Sequence, residues 1–321
     1  MDEGDALTPS LNTVYVSITT TEGKEISAST VIGNLLTNPG TVNYLLHDMM
    51  VDVHSVKTLG FVKGDLSQDD APGAQVAIDN LTDNSALVFP PVDKDLGYRL
   101  DSMLDMTGLR NTVLIFTKRA SILRVNHSDV ACINYNNGFD ESEKALLHRG
   151  NSIYGITVFP FSTSSPVPQY CLDFTGNIEG KLVDGLFINA SSVYNVRMES
   201  GWSTQILDTV FNPAQSNLYT KYGVLDNSNA AGGGLYLKRE MNACIVRGGR
   251  VKSANTVGTG GIRIGGGDAV EVSNMAIESN GAGGIVVEGN VGSSVYRQNY
   301  FEGAQDDITH LSAATSKSVK I

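Results

Sequence analysis

The sequence is poor in cysteine, in charged residues and in long apolar runs. Its three cysteines, Cys132, Cys171 and Cys244, are odd in number and far apart, so we expect buried free thiols and no disulfide framework or zinc site. No apolar run approaches the ~18 residues that a membrane span needs. The first residues have neither the basic nor the apolar region of a signal peptide. We therefore expect a chain that is made in the cytoplasm and not inserted into a membrane.

Nucleic acid and cofactor partners are also disfavoured. The net charge of −11 repels phosphate backbones and is compatible with a neutral or amine-bearing partner. The glycine run at 265–267 is followed neither by the Lys-Ser/Thr pair of a phosphate-binding loop nor by a helix pattern. The histidines have no metal-ligand spacing, so we expect no metal and no cofactor. One alternative stays open, a calcium site at Asp65, Asp69 and Asp70, because carboxylate oxygens cluster there.

Glycine, by contrast, is abundant and unevenly placed. Of 34 glycines, 17 lie between residues 232 and 303. They precede apolar pairs in GLYL at 234, GIRI at 261 and GIVV at 284, at steps of 27 and 23 residues. The segment NMAIES begins at residue 274 and the similar segment QNYFEG, which contains NYFEG, begins at residue 298, a step of 24 residues. A repeat of this length predicts stacked structural units.

Each repeat predicts short strands separated by polar or glycine turns. Between 262 and 278, the alternation predicts three strands, Ile262–Ile264, Ala269–Val272 and Met275–Ile277. Three short strands per coil of 23 to 27 residues indicate an all-β fold, a right-handed parallel β-helix, with coils stacked at ~4.8 Å. The residues expected inside are Ile262, Ile264, Val270, Val272, Ala276 and Phe301, and those expected outside are Arg263, Glu271, Glu278 and Tyr300.

The first ninety residues follow a different pattern. Residues 1–50 indicate one or two strands, followed by an amphipathic helix from Thr41 to Met50. Residues 51–92 predict an entry strand, a helix at 72–82 with Asp70 as its N-cap, and a buried strand. The β-helix is therefore expected over 51–321, with the helix at 72–82 covering the apolar end of the first coil.

This entry region carries a family resemblance. Residues 56–91, VKTLGFVKGDLSQDDAPGAQVAIDNLTDNSALVFPP, resemble the entry segment of pectate-lyase-like β-helix proteins. The shared features are a strand with a glycine, a Gly-Asp pair, a paired-Asp loop, a helix with Ala-Ile and a strand ending in proline, here Gly60, Gly64-Asp65, Asp69-Asp70, Ala77-Ile78 and Val88 to Pro91. Residues 41–60 resemble the join between the virion-anchoring domain and the β-helix of bacteriophage tailspikes, and NYFEG resembles their coils. The chain departs from the usual Gly-Asp-Gly loop at Leu66.

The resemblance implies a homotrimer of β-helices, mounted on a phage tail, baseplate or adaptor protein through residues 1–50. It implies a virion protein that contacts bacterial surface polysaccharide. The leading function is host attachment as a tailspike or tail fibre component. The alternative is a depolymerase, a glycoside hydrolase or lyase acting on that polysaccharide. A free polysaccharide-cleaving enzyme is a third class, which the missing signal peptide disfavours.

Acidic and aromatic residues supply the candidate site. The segment RMESGWSTQILDTVF at 197–211 and its continuation offer Glu199, Asp208 and Asp226 as catalytic acids and Trp202, Tyr219 and Tyr222 as glycan-binding aromatics. For Trp202, a buried core position is the alternative. The second-choice acids are Glu278 and Glu302, which the 24-residue step places on adjacent coils. Turn capping is the alternative for these two residues.

Overall fold

A computed structural model describes residues 18–19, 25–26, 52–60, 62–93, 95–118, 120–136, 150–188, 190–212, 233–252, 261–278, 283–303, 307–311 and 316–320. The chain divides into two compact units, Met1–Val53 and His54–Ile321. In the first unit, strands β1 (Ile18–Thr19) and β2 (Glu25–Ile26) form an antiparallel pair. The helix expected from Thr41 to Met50 lies outside the described residues.

The remaining elements are mostly short strands. In chain order they are β3 (Asp52–Ser55), α1 (Val56–Leu59), α2 (Ala71–Asp79), β4 (Ser85–Phe89), β5 (Tyr98–Leu100), β6 (Leu104–Asp105), β7 (Val113–Phe116), β8 (Ile122–Val125), β9 (Ala131–Asn134), β10 (Ser152–Tyr154), β11 (Thr157–Pro160), β12 (Tyr170–Asp173), β13 (Lys181–Val183), β14 (Leu186–Ile188), β15 (Tyr194–Met198), β16 (Gln205–Asn212), β17 (Gly233–Leu237), β18 (Met241–Asn242), β19 (Ile245–Lys252), β20 (Ile262–Ile264), β21 (Gly267–Asp268), β22 (Glu271–Ser273), β23 (Ala276–Glu278), β24 (Ile285–Val287), β25 (Val291–Arg297), β26 (Tyr300–Glu302), β27 (Ile308–His310) and β28 (Ser316–Lys320). In the described part of the chain, no helix is long and apolar enough to cross a membrane.

The strands stack in parallel, coil upon coil. One series of parallel pairs runs through β4, β7, β10, β13, β16, β19, β22, β25 and β28. Strands β6, β9, β12, β15, β17, β20, β24 and β27 form a separate eight-stranded sheet. Leu235 pairs with Ile262 and then Ile285, and Ile277 pairs with Phe301, at the steps predicted from the sequence. The all-β parallel β-helix is therefore confirmed.

Two coils are longer than the repeat predicts. Val113 pairs with Ser152, 39 residues later, and Gln205 pairs with Ile245, 40 residues later. The extra length falls at residues 137–149 and 213–232, which the structure does not describe. The strands on either side of each insertion still pair in register, because the added chain enters between strands and not within them.

The core runs along the inside of the coils. Ile262, Ile264, Val270 and Val272 are fully buried, as predicted. Ala276, expected inside, is half-buried and faces outward, while Ile277 beside it is fully buried.

The reason for the error lies at the corners. Ala269 and Asn274 adopt left-handed backbone conformations, with φ of 54° each, and turn the chain between faces. The inside–outside alternation restarts after each corner, so β23 begins one residue later than predicted. For the same reason, β22 begins at Glu271, after the corner, and not at Ala269.

Buried amides tie the coils together inside the β-helix. Asn151 accepts a hydrogen bond from the Thr112 amide at 3.0 Å and donates one to Asn177 Oδ1 at 2.9 Å. Asn177 in turn donates to the Tyr135 carbonyl at 3.1 Å. All four side chains are fully buried, so these bonds satisfy polar groups that would otherwise destabilise the core.

The helix expected at 72–82 is present as α2, over Ala71–Asp79. Asp70 precedes it, but its carboxylate makes no capping bond and instead accepts the Lys63 and Gly64 amides, each at 2.9 Å. The Ala71 amide donates to Asp69, at 3.0 Å. Backbone amides therefore occupy both oxygens of Asp70 and one oxygen of Asp69. Among the described residues, no group of three or more acids, histidines or cysteines is placed to hold a metal ion.

Candidate functional site

One corner of the β-helix combines exposed aromatic and polar side chains. It is formed by residues in left-handed conformation on four successive coils, namely Glu179, Ser203, Ala243 and Ala269, with φ of 59°, 52°, 52° and 54°. The residues that precede Ser203, Ala243 and Ala269 are Trp202, Asn242 and Asp268, which we call the Trp202 corner. Trp202 pairs with Asn242, and Asn242 pairs with Asp268, so the three residues lie on adjacent coils.

Trp202 lies on the surface. Its relative exposure is 48%, so the alternative of a buried core residue is wrong. The backbone of Trp202 is fixed on both sides, by a bridge to Ile178 on the preceding coil and one to Asn242 on the following coil. The ring is therefore an exposed aromatic surface on a rigid backbone.

The two polar residues of the corner are held in place by backbone amides. Asn242 Oδ1 accepts the Asp268 amide at 3.1 Å. Asp268 Oδ1 accepts the amides of Ala269, at 2.9 Å, and of Ser293, at 2.7 Å. The Oδ1 atom of each side chain is therefore used by the fold.

The glycine run at 265–267 explains how the coils pack so closely beside this corner. A Cβ on Gly265 would lie 1.8 Å from the carbonyl oxygen of Lys238, and one on Gly267 would lie 2.1 Å from that of Met241. Gly267 also has φ of 148°, which L side chains rarely adopt. These glycines serve the packing of backbone on backbone, in agreement with the rejection of a phosphate loop.

Next to the corner along the chain lies a group of charged side chains, the Glu199 cluster, which consists of Asp173, Arg197, Glu199, Lys238 and Arg239. Arg197 hydrogen-bonds both carboxylates, Asp173 Oδ2 at 3.2 Å and Glu199 Oε2. Lys238 Nζ lies 3.0 Å from Glu199 Oε2, and Arg239 Nε lies 2.5 Å from Oε1. The carboxylates are buried while Lys238 and Arg239 reach the surface.

The two carboxylates of the cluster differ in acidity. Burial raises the pKa of Asp173, and hydrogen bonds from Thr175 and Arg197 offset this only in part. Burial acts in the same direction on Glu199, but hydrogen bonds from Arg197 and Lys238 outweigh it and hold its pKa below the ordinary value. A pair of acids with pKa values moved apart is the arrangement that acid–base chemistry uses.

Aromatic rings accompany these charges on the outer face of the eight-stranded sheet. The guanidinium of Arg197 lies 5.4 Å from the centre of the Tyr170 ring. Arg263 lies 5.2 Å from the Tyr236 ring, and its charge is paired with Glu288. Cations over rings at these distances stabilise the face and fix the orientation of the rings.

The other predicted site residues are not brought together with Glu199 by the described structure. Asp208 is an exposed corner residue on β16 with φ of 50°, aligned with Gly248 of the next coil, whereas Glu199 follows β15 on the other sheet. Asp226, Tyr219 and Tyr222 lie outside the described residues. Of the six first-choice residues, Glu199 and Trp202 therefore share one region.

The second-choice acids are neighbours, as the 24-residue step predicted. Glu278 pairs in register with Glu302. Glu278 forms an ion pair with Arg250, and Glu302 accepts a hydrogen bond from the Tyr300 hydroxyl at 3.2 Å. Tyr300 is exposed and Phe301 packs against the core, also as predicted.

Sequence reasoning missed Asp173, Arg197, Asn242 and Asp268 as members of one site. Asp173 lies opposite Arg197, 24 residues later, so the coil step could have found this pair. Asn242 follows Trp202 by 40 residues because of the insertion at 213–232, and no regular repeat predicts that alignment.

Comparison with known proteins supports the fold. No protein-family model and no curated protein matches the chain. ORF18 of Geobacillus virus E2 is similar with a TM-score of 0.54 and 13% identity, over 97% of this chain and 69% of that one. PfbA, a surface adhesin of Streptococcus pneumoniae, is similar with a TM-score of 0.51 and 9% identity, over 83% of this chain and 81% of that one. The enzymatically active domain of bacteriophage CBA120 tailspike protein 2 has a TM-score of 0.43 and 12% identity, over 84% of this chain and 43% of that one.

These similarities concern the fold. The chain is a parallel β-helix protein, as its sequence predicted.

Proposed function

We propose that this chain is a structural and receptor-binding component of a phage tail, which binds bacterial surface polysaccharide at the Trp202 corner. In this proposal the protein belongs to the virion and is a homotrimer. Residues 1–50 connect it to a tail, baseplate or adaptor protein. The resemblance of residues 41–60 to the join between the virion-anchoring domain and the β-helix of tailspikes supports this assignment.

The observation that carries the proposal is the exposure of Trp202. An indole ring left in water forfeits the ~1.5–3 kcal/mol that burial of a large apolar side chain contributes. The fold recovers only part of this at Trp202, which is 48% exposed on a regular corner. Aromatic faces of this kind give sugar rings a large contact area with little loss of side-chain entropy.

Because Trp202 is the single tryptophan of the chain, its fluorescence reports on this corner alone. We would titrate the protein with purified O-antigen and capsular polysaccharides and follow tryptophan emission. A saturable change in emission supports binding at the corner. No change with any polysaccharide contradicts the proposal.

The Trp202→Ala variant tests the same contact by calorimetry. We expect binding at least tenfold weaker, because the stacking surface is lost. The matched control is Tyr300→Ala, which removes another exposed aromatic residue, 58% exposed on β26, and is expected to bind as the parent does. Equal weakening in both variants would show that the effect is not specific to the corner.

The alternative function, a depolymerase, is favoured by the Glu199 cluster. Asp173 and Glu199 are joined by Arg197 and have pKa values moved in opposite directions. New reducing ends released from polysaccharide would establish cleavage. Glu199→Gln is expected to abolish them, and Asp208→Asn and Asp226→Asn test the other acids chosen from the sequence. Cleavage that survives all three substitutions rejects this set of catalytic residues.

A further inference from the structure

We propose that the Trp202 corner binds a sugar ring without an acidic group, stacked on Trp202 and hydrogen-bonded by Asn242 and Asp268. This inference rests on the proposed function and names the class of sugar that the corner takes. The three residues stand one coil apart, at about 4.8 Å per coil. A ring seated on the indole therefore has its hydroxyl edge within reach of the next two coils.

The remaining polar atoms of the corner suit hydroxyl groups. Among the described residues, Asn242 Nδ2 and Asp268 Oδ2 have no hydrogen-bond partner, while Oδ1 of each accepts backbone amides. One is a donor and the other an acceptor. A sugar hydroxyl both donates and accepts, so it can use both atoms.

The backbone amides also explain why these side chains are ready to bind. Asp268 Oδ1 accepts amides on its own coil and on the next one, at Ser293, so its carboxylate orientation is fixed before a ligand arrives. A side chain that is already held loses little entropy on binding, which favours affinity.

The shape of the corner admits a ring. Beside Trp202, Asn242 and Asp268, the left-handed positions carry the small, exposed side chains of Ser203, Ala243 and Ala269. No large side chain rises from these three positions to block an approach to the indole face.

Charge decides the class of sugar. Asp268 is exposed, and an acidic sugar would place a second negative charge against it. The nearby Arg239 does not compensate this charge, because it is paired with Glu199. The exposed Glu240, which is hydrogen-bonded to Ser200 at 3.1 Å, is a further acid in this region. The corner therefore favours uncharged or amine-bearing sugars over uronates and other acidic units.

The test uses Asp268→Asn on the full chain, with purified O-antigen and capsular polysaccharides divided into acidic and non-acidic sets. This substitution keeps Oδ1 as an acceptor for the Ala269 and Ser293 amides and converts Oδ2 from an acceptor to a donor. Emission of Trp202 reports binding in both proteins. The control variant is Asp79→Asn, an exposed acid on α2 that makes the same change of charge.

We expect a non-acidic polysaccharide to bind, with affinity about tenfold lower in Asp268→Asn and unchanged in Asp79→Asn. If a polysaccharide changes Trp202 emission equally in the parent and in Asp268→Asn, the inference is wrong and the proposed function stands. Binding confined to acidic polysaccharides would also show that the inference is wrong, while the proposed function stands. If no polysaccharide changes the emission in the parent, the proposed function fails and the inference fails with it.

Discussion

At the scale of single residues, His127 shows how burial and charge compete. Its imidazole is buried, with Nδ1 3.3 Å from Asp129 Oδ2. Nδ1 accepts the Asp129 amide, and Nε2 has no partner among the described residues. Burial lowers the pKa of His127, and the charges of Asp129, Asp101 and Asp69 offset this only in part. The folded state therefore prefers the neutral ring.

This preference gives a pH dependence with a definite sign. Because the folded pKa is depressed, the unfolded state binds the proton more readily below about pH 6.5, and stability is lost as the pH falls. One histidine changes the free energy of unfolding by at most ~1.4 kcal/mol per pH unit.

We expect His127→Gln to lose less stability than the parent between pH 7 and pH 5.5, as measured by urea unfolding. The other histidines titrate in both proteins, so the difference between the two slopes isolates His127. Parallel slopes would contradict the assignment of a depressed pKa to this residue.

At the scale of elements, a strand or helix boundary could be predicted from the sequence only where local residues determine it. Strand β20 was predicted residue for residue, because alternating apolar residues and a glycine run define it. Strand β23 was misplaced by one residue, because the left-handed turn at Asn274 is a property of a corner and leaves no trace in the periodicity. Asp70 was expected to cap α2 and instead binds amides of the preceding loop. The partner of such a carboxylate depends on which backbone amide the folded chain brings near it, and the local sequence does not reveal this.

The residues of the candidate site also differ in whether the sequence could predict them. Trp202 and Glu199 were chosen for their residue types, and both lie in the region that the structure assembles. Asn242 and Asp268 carry no signal of their own, because their role arises from stacking across a coil that is longer by an insertion. Asp208 was chosen for its proximity in sequence, yet it faces a different side of the β-helix, since a corner intervenes.

Two neighbouring glycines test the stacking of coils. A Cβ at Gly265 would lie 1.8 Å from the Lys238 carbonyl oxygen, whereas one at Gly266 would come no nearer than 3.5 Å to any other atom. We expect Gly265→Ala to destabilise the protein by about 1–3 kcal/mol or more, since backbone must move. Gly266→Ala is the matched control, with an expected change within about 1 kcal/mol. Denaturant unfolding of both variants measures the difference, and equal effects would contradict this account of the corner.

At the scale of the whole molecule, one outward column of the β-helix is apolar. It consists of Val88, Ile115, Tyr154, Val183 and Leu207, one residue on each of five successive coils, all half-buried. The same column continues with Arg247, the buried Ser273 and Arg297. A continuous apolar stripe of this kind is typical of surfaces that pack against another protein. It supports the proposed homotrimer.

Light scattering tests this assembly. We expect a molar mass near three times 34.2 kDa for the parent and a lower mass for Leu207→Glu, because a charge would be buried in the contact. Lys181→Glu changes an exposed residue beside the stripe and is the control. A monomeric parent would remove the main support for a virion spike. A trimeric Leu207→Glu variant would place the contact elsewhere.

The two long coils have a consequence for variation among related chains. Because Val113 still meets Ser152 and Gln205 still meets Ile245 across the insertions, the ladder of coils tolerates added chain between strands without a change of register. Residues 137–149 and 213–232 are therefore positions at which one segment can be replaced by another. Under the proposed receptor-binding function, exchange of such segments offers a way to alter host range while the strands that carry them stay the same.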